Sequence, residues 1–543
     1  MGDAHFSNEQ HAKNRRKKVH IAILLGLLCA IAISIGIGVL VSSKAETFPQ
    51  APETPTETPY TLPPTPNATF RSIVFDNDLL LNKNNAEWQL LDTAIPKGTD
   101  IDISDDGNCV ATTRTYLRER EKEEDDNGPR DNSVEMMGRT SVTCWTQDGR
   151  WEPLGQEIEL PETGRVVSLS GDGKRVAIGG TLPRNHWGGG PSIKGPYRTG
   201  RQVYVYEYDE YMKHWNQIGQ ALFGNFTYND GFGALPGDVG MNHDGSIVWV
   251  AARLTLDNET HFPRQKIGSV RAYQYEFESN IWKPMGKPIS PFRPAYLNYK
   301  TISSSASGKR LVTSHTQHGL SIYDYNSEKK EWVHALFNGT DLSFTEPIGN
   351  SAMSRNGRIL AVAKQIRPEG TDKREFPRAS NAQDCTHWEG NCYDSPCGFK
   401  YCTNITVLEN VEGNIWRRIG SGNSAEASLD EDICVAGFIP NLDLNFDGSV
   451  LAVGDESSTG PDGQEYFSTQ YGTAFAFQYV PPTTERRQYW SPMGQPLYGD
   501  SYPNTTHMGN IIKLSASGHR FAVTESAEYE VRPSTLVFEL TAT

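Results

Sequence analysis

One unit returns seven times along this chain: a short apolar strand, a tight turn ending in Gly, a second small-apolar strand, a β-rich third strand and, in most copies, a Trp four residues before a Gly. The turns read Asp106-Gly107, Asp172-Gly173, Asp244-Gly245, Ser307-Gly308, Asn356-Gly357, Asp447-Gly448 and Ser517-Gly518. A repeat of this kind constrains the fold before any single residue does, because each copy buries its apolar face only against its neighbours. It narrows function too, since repeat scaffolds bind and present more often than they catalyse.

Each unit supplies four strands, a to d. In the second unit Val166-Val-Ser-Leu-Ser170 is a, Arg175 to Gly179 is b, Val203-Tyr-Val-Tyr-Glu-Tyr208 is c and Trp215-Asn-Gln-Ile-Gly219 is d. The a-to-b turn needs positive φ, hence the Gly. Strands a and b are small and apolar, as strands near an axis are, while c alternates aromatic and polar residues like an outer strand. The Trp-x-x-x-Gly signature begins at Trp151, Trp215, Trp282, Trp416 and Trp490, with weaker versions at Trp88 and Trp332. A Trp at one fixed place per unit reads as packing between sheets.

The strand count predicts an all-β, seven-bladed β-propeller. An orphan d strand around Trp88 precedes the first a-b pair, and the last unit lacks its own d strand after Leu536-Val-Phe-Glu-Leu540. A single ring in which the N-terminal segment completes the C-terminal blade accounts for both ends. Ser72-Ile-Val-Phe75 is a second claimant to the last c position. The turn glycines stand 49 to 91 residues apart, so the blades carry insertions of variable length.

Alternating strand direction sorts those insertions onto one face. The segments Thr115 to Asp131, Thr181 to Arg198, Gln365 to Lys400 and Asp455 to Ser468 are b-to-c loops, and Ser421 to Asp432 is a d-to-a loop, which shares their face. The a-to-b and c-to-d turns on the opposite face are short. Long loops on a rigid scaffold are where binding residues gather, so a macromolecular ligand, protein or glycan, is expected on the long-loop face.

The propeller sits at the end of a chain with a different beginning. Ile21 to Val41 is an uninterrupted apolar run of 21 residues, which at about 1.5 Å per residue spans roughly the hydrocarbon core of a bilayer. Lys13, Arg15, Arg16, Lys17 and Lys18 precede it and acidic residues follow, so residues 1–20 are expected as a cytoplasmic tail and 21–41 as a transmembrane signal-anchor helix. A cleaved signal peptide, with Ser43 and Ala45 at its end, is the competing assignment; its apolar core is ordinarily shorter. Residues 42–69, rich in Pro and Thr, read as an extended stalk reaching at most roughly 70 Å, and 70–543 as the propeller. The ectodomain is thus placed outside the cell or in the secretory lumen. Six Asn-x-Ser/Thr sequons, at Asn67, Asn225, Asn258, Asn338, Asn404 and Asn504, fit that route as glycosylation sites. The five within the propeller fall in or beside long-face loops. The net charge of −15 becomes −19 once residues 1–44, with six basic and two acidic side chains, are set aside. Nucleic acid is therefore not expected as a partner.

Runs such as Val166-Val-Ser-Leu-Ser-Gly-Asp-Gly-Lys-Arg-Val-Ala-Ile-Gly179, and Phe232-Gly233 ahead of Met241-Asn-His-Asp-Gly245, resemble the WD40-like and FG-GAP-like propeller repeats of extracellular proteins. Uncharacterised single-pass membrane proteins of diatoms and their relatives are among these. The resemblance covers about residues 70 to 543 and implies binding or adhesion. The Trp-Asp ending of WD40 repeats and the full calcium loop of integrin-type repeats are absent, so neither family's ligands carry over.

Three constellations bear on chemistry. Asp443, Asn445 and Asp447 match the start of a D-x-[DN]-x-[DN]-G calcium loop, but the twelfth position is Gly454, with no carboxylate. Strand a with its turn explains the same residues, and no metal or other cofactor is expected. Seven cysteines lie beyond the apolar run, where disulfides persist. Cys109 on b and Cys144 on c of the first blade are antiparallel neighbours and are expected to pair. Cys385, Cys392, Cys397, Cys402 and Cys434 remain, an odd number that leaves one unpaired or bridging to a second chain. Catalysis has little sequence support: Thr146-Gln-Asp-Gly-Arg-Trp151 only approximates a sialidase Asp-box, and no Gly-x-Ser-x-Gly elbow occurs. A non-catalytic binding propeller is expected, with a carbohydrate-active hydrolase and a viral-type attachment glycoprotein as alternatives. Carboxylates and Arg converging at one channel mouth would favour the hydrolase; a glycan-free aromatic patch would favour the binder.

Overall fold

The computed structural model describes residues between 86 and 542, leaving out chiefly 120–133, 181–201, 225–238, 257–265, 290–296, 336–347, 367–401, 421–432 and 457–471. Residues 21–41, 42–69 and Ser72-Ile-Val-Phe75 lie outside the described residues. Among those described, no helix is long and apolar enough to cross a membrane.

Seven antiparallel sheets follow one another, each with strands a to d in sheet order. Blade 1 comprises Asp100–Ile103, Cys109–Glu119, Val134–Trp145 and Trp151–Pro153; blade 2 comprises Val166–Leu169, Arg175–Gly179, Gln202–Asp209 and His214–Gln217. Blade 3 is Val239–Met241, Ile247–Leu256, Lys266–Glu276 and Ile281–Pro284, and blade 4 is Leu297–Ser304, Arg310–His315, Gly319–Asn326 and Glu331–Ala335. Blade 5 is Ile348–Met353, Ile359–Ile366, Cys402–Glu412 and Ile415–Arg418, and blade 6 is Asn441–Leu444, Val450–Asp455, Thr473–Val480 and Tyr489–Tyr498. Blade 7 takes Thr506–Leu514, Arg520–Ala527 and Ser534–Ala542 from the C-terminus and its d strand, Ala86–Leu90, from the N-terminal side. Trp88 stands opposite Leu540 in that closing pair. Each a strand packs on the a strand of the next blade, and the last returns to the first.

Burial falls from the axis outward. Strand a of blade 1 and strand b of blade 6 are buried at every position, whereas strand d of blade 2 buries only its Trp. Three blades depart from the four-strand expectation. Ile158–Pro161, Leu222–Phe223 and Ile433–Ala436, all beyond strand d, return to pair with strand c of blades 1, 2 and 5. Strand d stops short of the end of c, and the freed edge of c recruits the connection.

The apolar core is distributed between blades. Each cluster draws on two adjacent sheets: Ala361, Val407, Leu451, Phe475 and Trp490, for example, join blades 5 and 6. The Trp-x-x-x-Gly signature joins the outer edges of such pairs. Gly219, Gly420 and Gly494 have φ of 65°, 77° and 70°, and a Cβ on any of them would come within 2.5 Å of the next blade's Trp ring. The indole N–H of that Trp donates to the carbonyl just before the Gly: Trp282 to Ile218 at 3.0 Å, Trp490 to Ile419 at 3.2 Å, Trp88 to Met493 at 2.8 Å. Where a Gln follows the Gly, its amide clamps the backbone of the same Trp. Gln495 accepts from Trp88 N at 2.8 Å and donates to Trp88 O at 2.9 Å; Gln156 and Gln220 treat Trp215 and Trp282 in the same way. Each such hydrogen bond contributes about 0.5–1.5 kcal/mol net. Strand d of blade 7 has Asp92 where the Gly would be, and the indole N–H of Trp151 in the following blade has no hydrogen-bond partner among the described residues.

Candidate functional site

The a-to-b turns build the mouth of the central channel on the short-turn face. Every turn follows the pattern Ser/Asn-x-Asp/Ser/Asn-Gly. The first side chain caps the start of strand b: Ser170 Oγ accepts from Arg175 N at 2.8 Å, and Asn445 Oδ1 accepts from Val450 N at 2.9 Å. The third accepts from the backbone two residues on, as Asp172 does from Lys174 N and Asp447 from Ser449 N. For Asp106 and Asp244 burial opposes ionisation, but these turn hydrogen bonds outweigh it and hold both below the usual Asp value.

The second residue of each turn faces the axis, and the backbone at this level, through the third residue Asn356 in blade 5, links blade to blade. Asp105 N donates to Gly171 O, Gly171 N to His243 O, His243 N to Ala306 O and Ala306 N to Arg355 O, at 2.6–3.0 Å. Asn356 N donates to Phe446 O, Phe446 N to Ala516 O, and Ala516 N to Asp105 O, which closes the circle. The side chains at this level are Asp105, Gly171, His243, Ala306, Arg355, Phe446 and Ala516. Asp105 pairs with His243 on one side and Arg355 on the other, and Arg355 also donates to Leu514 O at 3.2 Å. Gly171 makes this possible, because a Cβ there would stand 2.1 Å from His243 Nδ1 and 2.3 Å from Asp105 Oδ2.

Deeper in the channel, carboxylates of one blade accept the edge N–H groups of the next. Asp100 accepts from Val167 N at 3.0 Å, Asp102 from Leu169 N at 2.8 Å and Asp443 from Leu514 N at 2.7 Å. These amides lie on the innermost edge of each sheet, where unpaired donors are costly. Lys513 reaches Asp102 at 3.5 Å. Burial disfavours the Lys513 ammonium, but Asp102, Asp443 and Asp100 overcome it and raise its pKa. Burial raises the Asp443 pKa too, and Lys513 and Arg355 offset this only in part.

The sequence-derived candidates are scattered. Asp443 points to the channel, Asn445 caps strand b and Asp447 closes the turn; among the described residues no cluster suited to a metal ion occurs. Cys109 and Cys144 form a disulfide and are cross-strand partners. Cys402 begins strand c of blade 5, opposite Ala436. Cys434 lies in the added fifth strand opposite Asn404, not in a loop. Asn404 lies within strand c and is 7% exposed. Cys385, Cys392, Cys397, Asn67, Asn225, Asn258, Asn338 and Asn504 lie outside the described residues, as do most of the long-face loops.

The convergence that would favour a hydrolase is present at the channel mouth, in Asp105, His243 and Arg355. Sequence reasoning missed it because the three residues come from blades 1, 3 and 5. Its linear trace is the second position of the turn pattern, which is polar or charged in blades 1, 3 and 5, small in blades 2, 4 and 7 and Phe446 in blade 6. The aromatic feature that would favour a binder is present on the same face. Tyr211, Met212 and Phe277, in the c-to-d turns of blades 2 and 3, are 91%, 66% and 77% exposed, and no sequon falls in any a-to-b or c-to-d turn.

No known protein family and no curated protein matches this sequence. Among solved structures the chain is similar to hydrazine synthase of Kuenenia stuttgartiensis, with 11% identity and a TM-score of 0.42 over 83% of this chain and 97% of that one. So loose a superposition supports no inference about chemistry.

Proposed function

We propose that this protein is a non-catalytic binding propeller, carried as the ectodomain of a single-pass type II membrane glycoprotein, that captures a protein or glycan on its long-loop face. One observation carries the choice of binder over hydrolase: the channel carboxylates work as staples. Asp100, Asp102 and Asp443 accept backbone N–H groups of the adjoining blade, and Asp105 is held between the His243 ring and the Arg355 guanidinium. A general acid and nucleophile need oxygens presented to a substrate; these are turned to the ring itself. Anchoring rests on residues 21–41 and the basic flank before them, the secretory route on the sequons and the Cys109–Cys144 bridge. The odd cysteine count allows a link to a second chain, and the repeat resemblance fits an extracellular setting.

Replacing Asp384 to Tyr401 by a short Gly-Ser turn, with Cys402 and Cys434 changed to Ser, tests the face. The variant is expected to stay folded and to lose ligand capture. Topology is tested separately: endoglycosidase should shift gel mobility while an N-terminal tag stays accessible only from the cytosol. A tag protected inside vesicles would overturn the orientation. The short-turn face is the second candidate surface, favoured by exposed Tyr211, Met212 and Phe277; capture that survives the loop replacement and is lost on altering these turns would transfer the site there.

A further inference from the structure

A depression of about 510 Å³ opens on the short-turn face between blades 4 and 5, reaching from the rim to the channel mouth. Its volume lies within the range of sites for small ligands. Three cations, Lys309, Arg310 and Arg355, line it with one carboxylate, Asp324, and Arg355 is already paired with Asp105 at the channel mouth. Arg310 already holds that carboxylate through Nε and Nη2, at 2.6 and 2.9 Å. Lys309 is exposed and forms no ion pair among the described residues. Tyr325 and Phe446 also line it, together with the exposed turn residues Ser307 and Asn356. With both arginines paired, Lys309 supplies the surplus positive charge of the depression, on a protein of net charge −15.

From this geometry we infer that the depression binds an acidic saccharide. A carboxylate or sulfate group meets the Lys309 ammonium, while the apolar face of the sugar ring lies against Tyr325 or Phe446. The hydroxyl and amide groups of Ser307 and Asn356 suit sugar hydroxyls. A neutral sugar would leave Lys309 unanswered. An apolar peptide would leave several polar groups of the lining without partners, at a cost in binding. The inference rests on the binding reading but not on the long-loop face, since every residue named belongs to the opposite one.

The test is binding of the full-length protein to three probes: an oligogalacturonate carrying only carboxylates, a heparin-derived tetrasaccharide carrying sulfates as well, and neutral cellotetraose. Binding of one or both acidic probes, weakened by salt, with cellotetraose at least about tenfold weaker is expected. Which acidic probe binds more tightly tells carboxylate from sulfate recognition. Lys309→Glu should weaken the acidic probe about tenfold or more, with an unchanged melting temperature. Lys329→Glu, the same charge change in the neighbouring c-to-d turn outside the depression, should alter it less than about twofold. Equal binding of all three probes, no binding of either acidic probe, or equal effects of the two substitutions would each overturn the site. Capture through the long loops, measured with the loop-replacement variant, would stand or fall independently.

Discussion

Gly420→Ala probes how the blades are held together. Gly420 sits at φ +77°, and an added Cβ would lie 2.3 Å from Cδ1 and 2.4 Å from Nε1 of Trp490. The indole has nowhere to go, being 1% exposed and packed among Val407, Leu451 and Phe477 while donating to Ile419 O. A left-handed backbone costs a non-glycine residue roughly 1–2 kcal/mol. Overpacking adds roughly 1–3 kcal/mol, and the weakened indole hydrogen bond about 1 kcal/mol. The expected loss is therefore about 3–6 kcal/mol, a large part of a typical domain's roughly 5–15 kcal/mol. Gly149→Ala is the control. Its φ is +75°, but the nearest atom to its Cβ is Trp145 Cζ2 at 3.9 Å, so only the backbone component of roughly 1–2 kcal/mol applies. Both are read by chemical denaturation followed through tryptophan fluorescence. Equal losses in the two variants would refute the claim that these glycines exist to admit the neighbouring Trp.

Three further outcomes are expected. Deleting residues 70–95 removes strand d of blade 7, bares the edge of Ser534–Ala542 and uncovers Gly494, so the protein should misfold; a truncated protein with an undiminished melting temperature would rule out this closure. Changing Cys109 and Cys144 to Ser opens a loop of sequence separation 35 and should cost about 2–4 kcal/mol in denaturant unfolding; no change would mean the bridge is absent in the mature protein. Because burial raises the Asp443 pKa in the folded state, that group favours folding most at low pH and loses the contribution as pH climbs through the raised value. Asp443→Asn removes this component, so the variant's melting temperature should gain on the wild type's as pH rises above 3.8, and a constant difference between the two would contradict the shift.

Much of the ring was legible because its signals are local. A turn Gly after a small-apolar strand and a Trp four residues ahead of a Gly are both short-range patterns, and counting them exposes the strand borrowed from the N-terminal side. What escaped depends on register. Asp102, Asp443 and Lys513 come from blades 1, 6 and 7, and nothing near any of them in sequence announces the others. Leu222–Phe223 and Ile433–Ala436 read as connections because they are too short to show periodicity, and they become strands only where c offers a free edge. Asn404 matches a sequon, and nothing in that motif announces that the residue also lies within strand c, 7% exposed. Trp88 looked like a weak copy of the signature; its missing Gly shows its effect one blade later, at the indole of Trp151.

The fate of a captured ligand tests the binding function most directly. The full-length protein is loaded with a ligand that it retains, incubated, and denatured, and the released ligand is weighed by mass spectrometry. A scaffold whose channel carboxylates serve as staples returns the ligand with its mass unchanged, however long the incubation. Shortened products that accumulate beyond the amount of protein, and disappear on Asp102→Asn or Asp443→Asn in a variant that still folds, would contradict it and make the channel an active site.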